Sequence, residues 1–359
     1  MFVTLTLTLT ITLNAVLAGQ AVDAGQPDDA CLDDLEQVVE LLENDYAGWE
    51  FAQRTRGKEL ADALEKATAK ARNADGVDCD RAIRTYLEAF GDGHFLLFSP
   101  HSPPLEVPTP LFEDRTPVIR ALSDQVMLVR IPSFGFSYKQ ILDDLLAEHE
   151  RAIIERPIMI IDLRQNSGGS GATGMVLAPI LWTGPVQAPR LLWRATEGNA
   201  KAFQQQLESI PEDAPMRAAA QIIADALREN IGSLKPIGPP SPPVTFDHVW
   251  PNPQHVGIIV DGYSASAAEQ FVLGAKQSGK VTVFGAKTYG AIDFGNLRHA
   301  QFPSGRTLQF GMSMNTRVLE PDYQPGGIQP DIELPSDVVG DADAAVTYVR
   351  ALLEAGLRP

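Results

Sequence analysis

Residues 255–285 read HVGIIVDGYSASAAEQFVLGAKQSGKVTVFG and contain three elements that together decide the fold class. The segment 255–262 is a nearly continuous aliphatic run, which is typical of a β-strand buried on both faces. The segment 266–279 predicts a helix, and 280–285 predicts a second buried strand. Since a helix is the usual crossover between parallel strands, this succession predicts an α/β unit with a parallel sheet.

The alternation of strands and helices extends over most of the chain. The segment 157–163 (PIMIIDL) predicts another buried strand, and 307–315 (TLQFGMSMN) predicts the strand that closes the sheet. We therefore expect an α/β core over residues 105–335 with a helical insertion at 201–230. A C-terminal helical segment, residues 336–359, follows this core.

Residues 28–95 differ from the core, because three segments with helical periodicity follow one another there. They predict a small N-terminal helical domain. The two cysteines of the chain, Cys31 and Cys79, both lie in this region. An even number of cysteines in an exported chain predicts a disulfide, although two ordinary buried thiols are the alternative.

The first residues, 1–21 (MFVTLTLTLTITLNAVLAGQA), predict a secretory signal peptide, because an apolar stretch ends in small residues. The first Lys or Arg is Arg54, so the usual basic start of a signal peptide is missing. Alternating Thr and Leu are also typical of a β-strand, and a misassigned start is a further alternative. Because the stretch is too short and too rich in Thr for a membrane span, we expect a periplasmic or secreted protein without stable membrane association.

The composition argues against several classes of function. The formal net charge is −17 and the pI is about 4.7, so phosphate backbones would be repelled and no nucleic-acid partner is expected. No group of residues has the spacing of metal ligands, so no metal site is expected. The loop 166–171 (NSGGSG) lacks the Lys-Ser/Thr pair of a phosphate-binding loop, so no cofactor is expected.

Three short motifs carry residue types found in catalytic sites. Ser266 stands at the mouth of a predicted helix, where its hydroxyl meets the positive end of the helix dipole. The alternative is a capping box in which Ser266 and Glu269 only satisfy backbone N–H groups. Gly168 and Gly169 let backbone N–H groups approach a ligand oxygen, although a plain glycine turn explains them equally well. His94 follows a turn bracketed by glycines, and an isolated histidine is more often structural than catalytic.

The motifs DGH (92–94), DLRQNSGG (162–169) and SASAAEQF (264–271) occur in an order that resembles the tail-specific, or C-terminal processing, serine peptidase family. That family includes the tricorn protease core and the interphotoreceptor retinoid-binding protein modules. GAKTYG (285–290) and GGIQPDIELP (326–335) are similar to its later signatures. The resemblance implies a Clp/crotonase-like β/α core with a small N-terminal helical domain.

The resemblance also implies roles for individual residues. Ser266, the second serine of SAS, corresponds to the nucleophile. One branch of the family places a lysine base after T-[FY]-G, and this chain has Ala291 there, so the Ser–Lys pair is absent. The tricorn-like branch uses a histidine, which corresponds to His94, as general base. Where tricorn carries a helper serine beside its histidine, this chain has Gly93.

The orienting carboxylate of the tricorn-like branch corresponds in spacing to Gln324, with Glu320 or Asp322 as substitutes. A glutamine could hold an imidazole by hydrogen bonding but would not stabilise an imidazolium by its charge.

The resemblance further implies an oxyanion hole made by the N–H of Ala267 and that of Gly168 or Gly169. Only about thirty residues separate His94 from the next predicted strand, too few for a PDZ domain of about 80 residues. The insertion at 201–230 and the proline-rich loop at 232–254 are therefore candidates for shaping the substrate cleft.

The expected function is that of an exported serine endopeptidase, which cleaves polypeptide substrates through a Ser–His acyl-enzyme mechanism. The alternative is a catalytically weak or inactive binding module of the same fold. A third possibility is crotonase-type acyl-thioester chemistry, which would use the same paired N–H groups.

Overall fold

A computed structural model describes residues 30–102, 109–212, 214, 216–238 and 242–356. The predicted signal peptide at 1–21 lies outside the described residues and stays a prediction. Within those ranges, no helix combines the length and the apolar composition that crossing a membrane requires.

The helices of the described chain are α1 (Ala30–Asp45), α2 (Trp49–Ala71), α3 (Gly76–Glu88), α4 (Phe136–Ile154), α5 (Gly171–Gly174), α6 (Ala178–Leu181), α7 (Glu197–Glu208), α8 (Arg217–Glu229), α9 (Ala267–Ala275), α10 (Ser336–Val339) and α11 (Ala344–Glu354). The segment predicted as a helical insertion contains most of α7 and all of α8.

The strands are β1 (Leu96–Phe98), β2 (Val118–Ala121), β3 (Val126–Arg130), β4 (Ile158–Asp162), β5 (Leu191–Ala195), β6 (Ser233–Pro236), β7 (His255–Val260), β8 (Val281–Gly285), β9 (Phe294–Gln301), β10 (Thr307–Asn315) and β11 (Ile332–Glu333). They are divided between a parallel sheet and an antiparallel sheet.

The larger sheet has the strand order β11-β8-β7-β4-β3-β2, and β2 is its antiparallel edge strand. Successive residues of a strand point to opposite faces, and each face is covered by helices. Leu142 of α4 and Val272 of α9 pack on one face, whereas Val349 and Leu353 of α11 pack on the other. All five residues of β4 are buried, as predicted for a strand covered on both sides. The predicted α/β fold with N-terminal helices is confirmed.

The smaller sheet is antiparallel and has the order β1-β10-β5-β6, with β9 also paired to β10. The prediction that 307–315 closes the parallel sheet was wrong. This segment is β10, which follows β9 after a short turn at 302–306. A turn of that length permits only antiparallel pairing, because a parallel neighbour needs a crossover of about a dozen residues.

The N-terminal helices cover the smaller sheet. Leu42 of α1 and Tyr86 of α3 belong to the same buried cluster as Phe294 of β9 and Phe310 of β10. Helices α1–α3 and the smaller sheet therefore share one hydrophobic core, which adjoins the parallel sheet.

A disulfide and a buried ion-pair cluster hold α1, α3 and β10 together. Cys31 and Cys79 form the predicted disulfide, with Cα atoms 5.7 Å apart. On the same two helices, Asp34 and Asp80 each accept a hydrogen bond of 2.7 Å from the guanidinium of Arg306. Because Arg306 immediately precedes β10, the helices are tied to the sheet both covalently and by charge.

The double variant Cys31→Ala/Cys79→Ala should lose about 3–4 kcal/mol of unfolding free energy, because its unfolded chain regains the entropy of an open loop. Urea unfolding of the variant and of the oxidised parent measures the loss. The parent treated with reductant is the control and should show the same loss. An unchanged unfolding midpoint in both cases would contradict the prediction.

Candidate active site

Ser266 and His94 meet although they are far apart in sequence. Ser266 lies between β7 and α9 with φ 55° and ψ −117°, a conformation that residues other than glycine rarely adopt. His94 lies in the turn between α3 and β1. Across a separation of 172 positions, His94 Nε2 lies 3.1 Å from Ser266 Oγ, which is a hydrogen-bonding distance.

The buried carboxylate of Glu269 holds the unusual backbone of Ser266 in place. Its Oε2 accepts hydrogen bonds from the N–H groups of Ser266 and Ala291, each at 2.9 Å. Its Oε1 accepts from the N–H of Gly290 at 2.8 Å and from the hydroxyl of Thr288 at 2.6 Å. Burial raises the pKa of the Glu269 carboxyl, and these hydrogen bonds act in the opposite direction. Glu269 thus joins the start of α9 to the loop after β8.

The two interpretations of Ser266 prove compatible. The hydrogen bond from the Ser266 N–H to Glu269 is the return half of a capping box at the start of α9. A hydroxyl has one donor position and two acceptor positions, so a residue in a capping box can still donate to an imidazole. Capping therefore does not argue against a chemical role for the hydroxyl.

A second carboxylate lies beside the other ring nitrogen of His94. The imidazole is buried, and its Nδ1 has no hydrogen-bond partner among the described residues. Asp92 Oδ1 lies 3.7 Å from Nδ1 and accepts the backbone N–H of His94 at 2.9 Å. Asp92 Oδ2 accepts the Tyr46 hydroxyl at 3.0 Å, and Gln309 donates to the His94 carbonyl at 3.0 Å. Burial raises the pKa of the Asp92 carboxyl, which the proximity of His94 lowers in part.

The residues predicted to orient the imidazole lie elsewhere. Gln324, Glu320 and Asp322 are exposed, and no hydrogen bond links their side chains to His94 within the described chain. They follow β10 on the protein surface, whereas the imidazole is buried. The carboxylate beside the ring is instead Asp92, and its sequence signal was present in the DGH motif itself.

The two glycines after β4 lie against Ser266. A Cβ on Gly168 would lie 2.8 Å from the Ser266 Cβ and 2.9 Å from the Ala267 nitrogen, and its φ is +96°, so glycine is required there. The Gly168 N–H already donates to Asn166 Oδ1 at 3.0 Å. The N–H groups of Gly169 and Ala267 donate to no other group in the part of the chain that the structure describes. Of the two glycines, Gly169 is therefore the one with an available N–H.

The loop after β8 packs against the turn that carries His94. A Cβ on Gly93 would lie 3.4 Å from the Ala291 Cβ and 2.7 Å from the ring of Tyr289. A helper serine at position 93 would therefore displace Tyr289. Position 291, where the lysine-dependent branch has its base, holds the buried methyl group of Ala291.

The sequence predicts Glu269 only as a helix cap and does not predict that Asp92, Tyr46 and Gln309 lie at the site. The signal for Asp92 was a carboxylate two residues before the histidine. The sequence carries no comparable signal for Tyr46 or Gln309, because both reach the site from other elements of the fold.

A sequence model described as peptidase family S41 matches residues 125–334. No curated protein matches the chain significantly. Among solved structures, mature CPAF superimposes with a TM-score of 0.61 at 13% identity, covering 92% of this chain and 98% of that chain. Mature CPAF complexed with lactacystin gives 0.61 at 14% identity, with 91% and 97% covered. A protein from Parabacteroides merdae ATCC 43184 gives 0.55 at 17% identity, with 91% and 99% covered. At such identities the likeness concerns the fold.

Replacing Glu269 with glutamine should destabilise the protein, because an amide NH₂ would face backbone donors that now have an acceptor. Each buried donor left without an acceptor costs about 1–3 kcal/mol of unfolding free energy. Guanidinium unfolding of Glu269→Gln measures the loss. Glu36→Gln, at an exposed position of α1, should change stability by less than about 0.5 kcal/mol. If the two variants have equal unfolding midpoints, the carboxylate of Glu269 does not stabilise the loop after β8.

Proposed function

The chain belongs to peptidase family S41, whose model covers more than half of its 359 residues, and we propose that it cleaves peptide bonds with Ser266 as nucleophile and His94 as general base. It is a serine-type peptidase of that family, with polypeptides as substrates. The observation that carries the proposed mechanism is the 3.1 Å contact between His94 Nε2 and Ser266 Oγ.

In the first step the Ser266 hydroxyl attacks the substrate carbonyl while its proton passes to His94 Nε2. The carbonyl oxygen becomes an oxyanion in a tetrahedral intermediate, and the N–H groups of Ala267 and Gly169 receive the negative charge. Each such donor typically contributes about 3 kcal/mol of transition-state stabilisation. The intermediate collapses when the imidazolium gives its proton to the departing amine, which leaves the acyl group on Ser266.

In the second step a water molecule replaces the amine. His94 takes a proton from the water, the hydroxide attacks the acyl-enzyme carbonyl, and a second oxyanion forms at the same N–H groups. Its collapse returns the proton to Ser266 and releases the carboxylic acid. Neither step requires a group outside the chain other than water.

Asp92 is the proposed positioning residue for the imidazole. If Ser266 donates to Nε2, the neutral ring must carry its hydrogen on Nδ1, which is the buried nitrogen without a partner. Asp92 Oδ1 is 3.7 Å from that nitrogen, so a small movement of the ring would make the hydrogen bond. Its negative charge would also stabilise the imidazolium that forms in each step.

Export to the periplasm or the exterior is part of the proposal. The Cys31–Cys79 disulfide supports it, because disulfides persist in oxidising compartments. The segment 1–21 is the proposed signal peptide.

A fluorophosphonate probe should label the parent protein covalently, and Ser266→Ala should abolish the labelling. Casein cleavage should fall on the order of 10⁶-fold in Ser266→Ala and in His94→Ala, because the nucleophile and its base act as one unit. Ser336→Ala, at an exposed position of α10, and His149→Ala, in the last third of α4, should retain the parent rates. A folded parent that neither labels nor cleaves would favour the inactive binding module.

Asp92→Asn should lower kcat by about 10²- to 10⁴-fold, because an amide has no charge to stabilise the imidazolium. The acid limb of the kcat/KM profile should also move to lower pH, because the variant lacks the Asp92 carboxyl, whose pKa is raised by burial and which must be ionised to act. The other ionisable groups facing Asp92 are Tyr46 and Asp293, and the variant leaves both in place.

The matched control is Asp62→Asn on the exposed side of α2, which should keep the parent kcat and pH profile. A purely structural role for Asp92 would lower stability without moving the acid limb. If Asp92→Asn keeps both the parent kcat and the parent acid limb, the positioning role is refuted.

A further inference from the structure

An apolar pocket opens beside the reacting serine. Its volume is about 740 Å³, within the range of about 300–1,000 Å³ typical of small-ligand sites. Helices α5, α6 and α9 and the first residue of β5 form much of the wall. The large apolar side chains that line it include Met175, Leu181, Trp182, Val186, Phe246 and Phe271.

The charged residues of the lining, Arg190, Arg317 and Glu320, lie on one side of the pocket. Arg190 and Thr316 exchange two hydrogen bonds, of 2.9 and 3.1 Å, and both line the pocket there. Arg317 and Glu320 follow on the same segment, and Arg317 is already paired with Asp293. The wall formed by α5, α6 and the apolar residues of α9 carries no charge among its described residues. It therefore suits an uncharged, apolar group.

The pocket reaches the reaction centre through Ala267, whose N–H is a proposed oxyanion donor. No residue of the turn 92–94 lines it. His94 must protonate the departing amine, so the leaving-group side of the substrate lies next to that turn. A pocket that adjoins Ala267 but not the turn therefore lies on the acyl side of the scissile bond.

We propose that this pocket binds a large apolar or aromatic side chain of the substrate residue whose carbonyl is attacked. This inference rests on the proposed peptidase mechanism and adds the preferred class of substrate. Trp182 and Phe246 of the wall meet edge to face, with ring centroids 5.9 Å apart, so this part of the wall offers aromatic surface to a further ring.

Two glycines keep the pocket open. Apart from its chain neighbours and its own helix backbone, a Cβ on Gly171 or on Gly274 of α9 would meet no atom of the described residues within 4 Å, although both residues line the pocket. By contrast, a Cβ on Gly168 would clash with Ser266. A side chain at position 274 would therefore extend into the pocket, where the substrate side chain is proposed to bind, and its Cβ would displace no protein atoms.

The test is Gly274→Leu, assayed with two peptide series that differ only in Phe or Ala at the residue before the scissile bond. The parent should prefer Phe. Gly274→Leu should lose about 10- to 200-fold in kcat/KM for the Phe peptides, which is the usual discrimination of an apolar pocket. Its kcat/KM for the Ala peptides should stay within about threefold of the parent value. Gly274→Ala should show a smaller loss in the same direction.

The matched control is Gly57→Leu. Gly57 is also a helical glycine with room for a side chain, in α2 and away from the pocket, and this variant should keep the parent preference. Peptidyl phosphonates that carry a Phe or an Ala side chain on the carbon next to phosphorus provide a second readout. Their rates of covalent reaction with Ser266 measure the preference of the same pocket without substrate turnover.

The outcomes separate the two proposals. Two outcomes would overturn the pocket assignment alone, provided that labelling depends on Ser266. In the first, the parent shows no preference for Phe peptides. In the second, the ratio of kcat/KM for Phe peptides to that for Ala peptides is the same in Gly274→Leu and in the parent. If the parent shows no Ser266-dependent labelling, the peptidase mechanism is overturned, and so is the pocket assignment that rests on it. Unfolding curves for Gly274→Leu and Gly274→Ala exclude loss of structure as the cause.

Discussion

The carboxylate of Glu269 is the point on which the geometry of the site depends. It lies fully buried and accepts hydrogen bonds from the backbone N–H of Ser266 and from three groups of the loop after β8. A residue with φ 55° and a side chain does not stay in that conformation unless its surroundings hold it there. Because Glu269 is itself in the first turn of α9, the helix that offers the Ala267 N–H also fixes the direction of the Ser266 hydroxyl.

Ser266 and His94 meet where the two cores of the molecule pack together. Ser266 belongs to the parallel sheet and its helices, whereas His94 precedes β1 of the antiparallel sheet, which the N-terminal helices cover. The distance between the two side chains is therefore set by how these cores pack. The contact of Tyr289 with Gly93 and the hydrogen bond from Gln309 to His94 are parts of that packing. The disulfide and the Arg306 cluster lie in the same half as the histidine and stiffen its support.

Two buried carboxylates, those of Asp92 and Glu269, differ in the groups that surround them. Burial raises the pKa of both Asp92 and Glu269, and each is compensated by hydrogen bonds from its surroundings. Glu269 accepts four such bonds, which fix the backbone of Ser266 relative to the loop after β8. Within the described chain, Asp92 accepts two, one of them from the backbone of His94, and its Oδ1 lies 3.7 Å from His94 Nδ1, which has no partner there. A charge beside a buried imidazole is useful only when the ring becomes positive, which is when peptide-bond cleavage needs it.

The sequence by itself determined most of the helices and strands and the candidate residues of the site. Runs such as 157–163 and 255–262 predict buried strands because periodicity is a local property, and the order of the motifs pointed to Ser266, His94 and the glycines. Only the tertiary structure decided that β10 lies in the second sheet. It also placed Asp92, and not Gln324, beside the ring. These outcomes depend on strand pairing and on packing between residues far apart in the chain, and no local pattern of side chains encodes such distances.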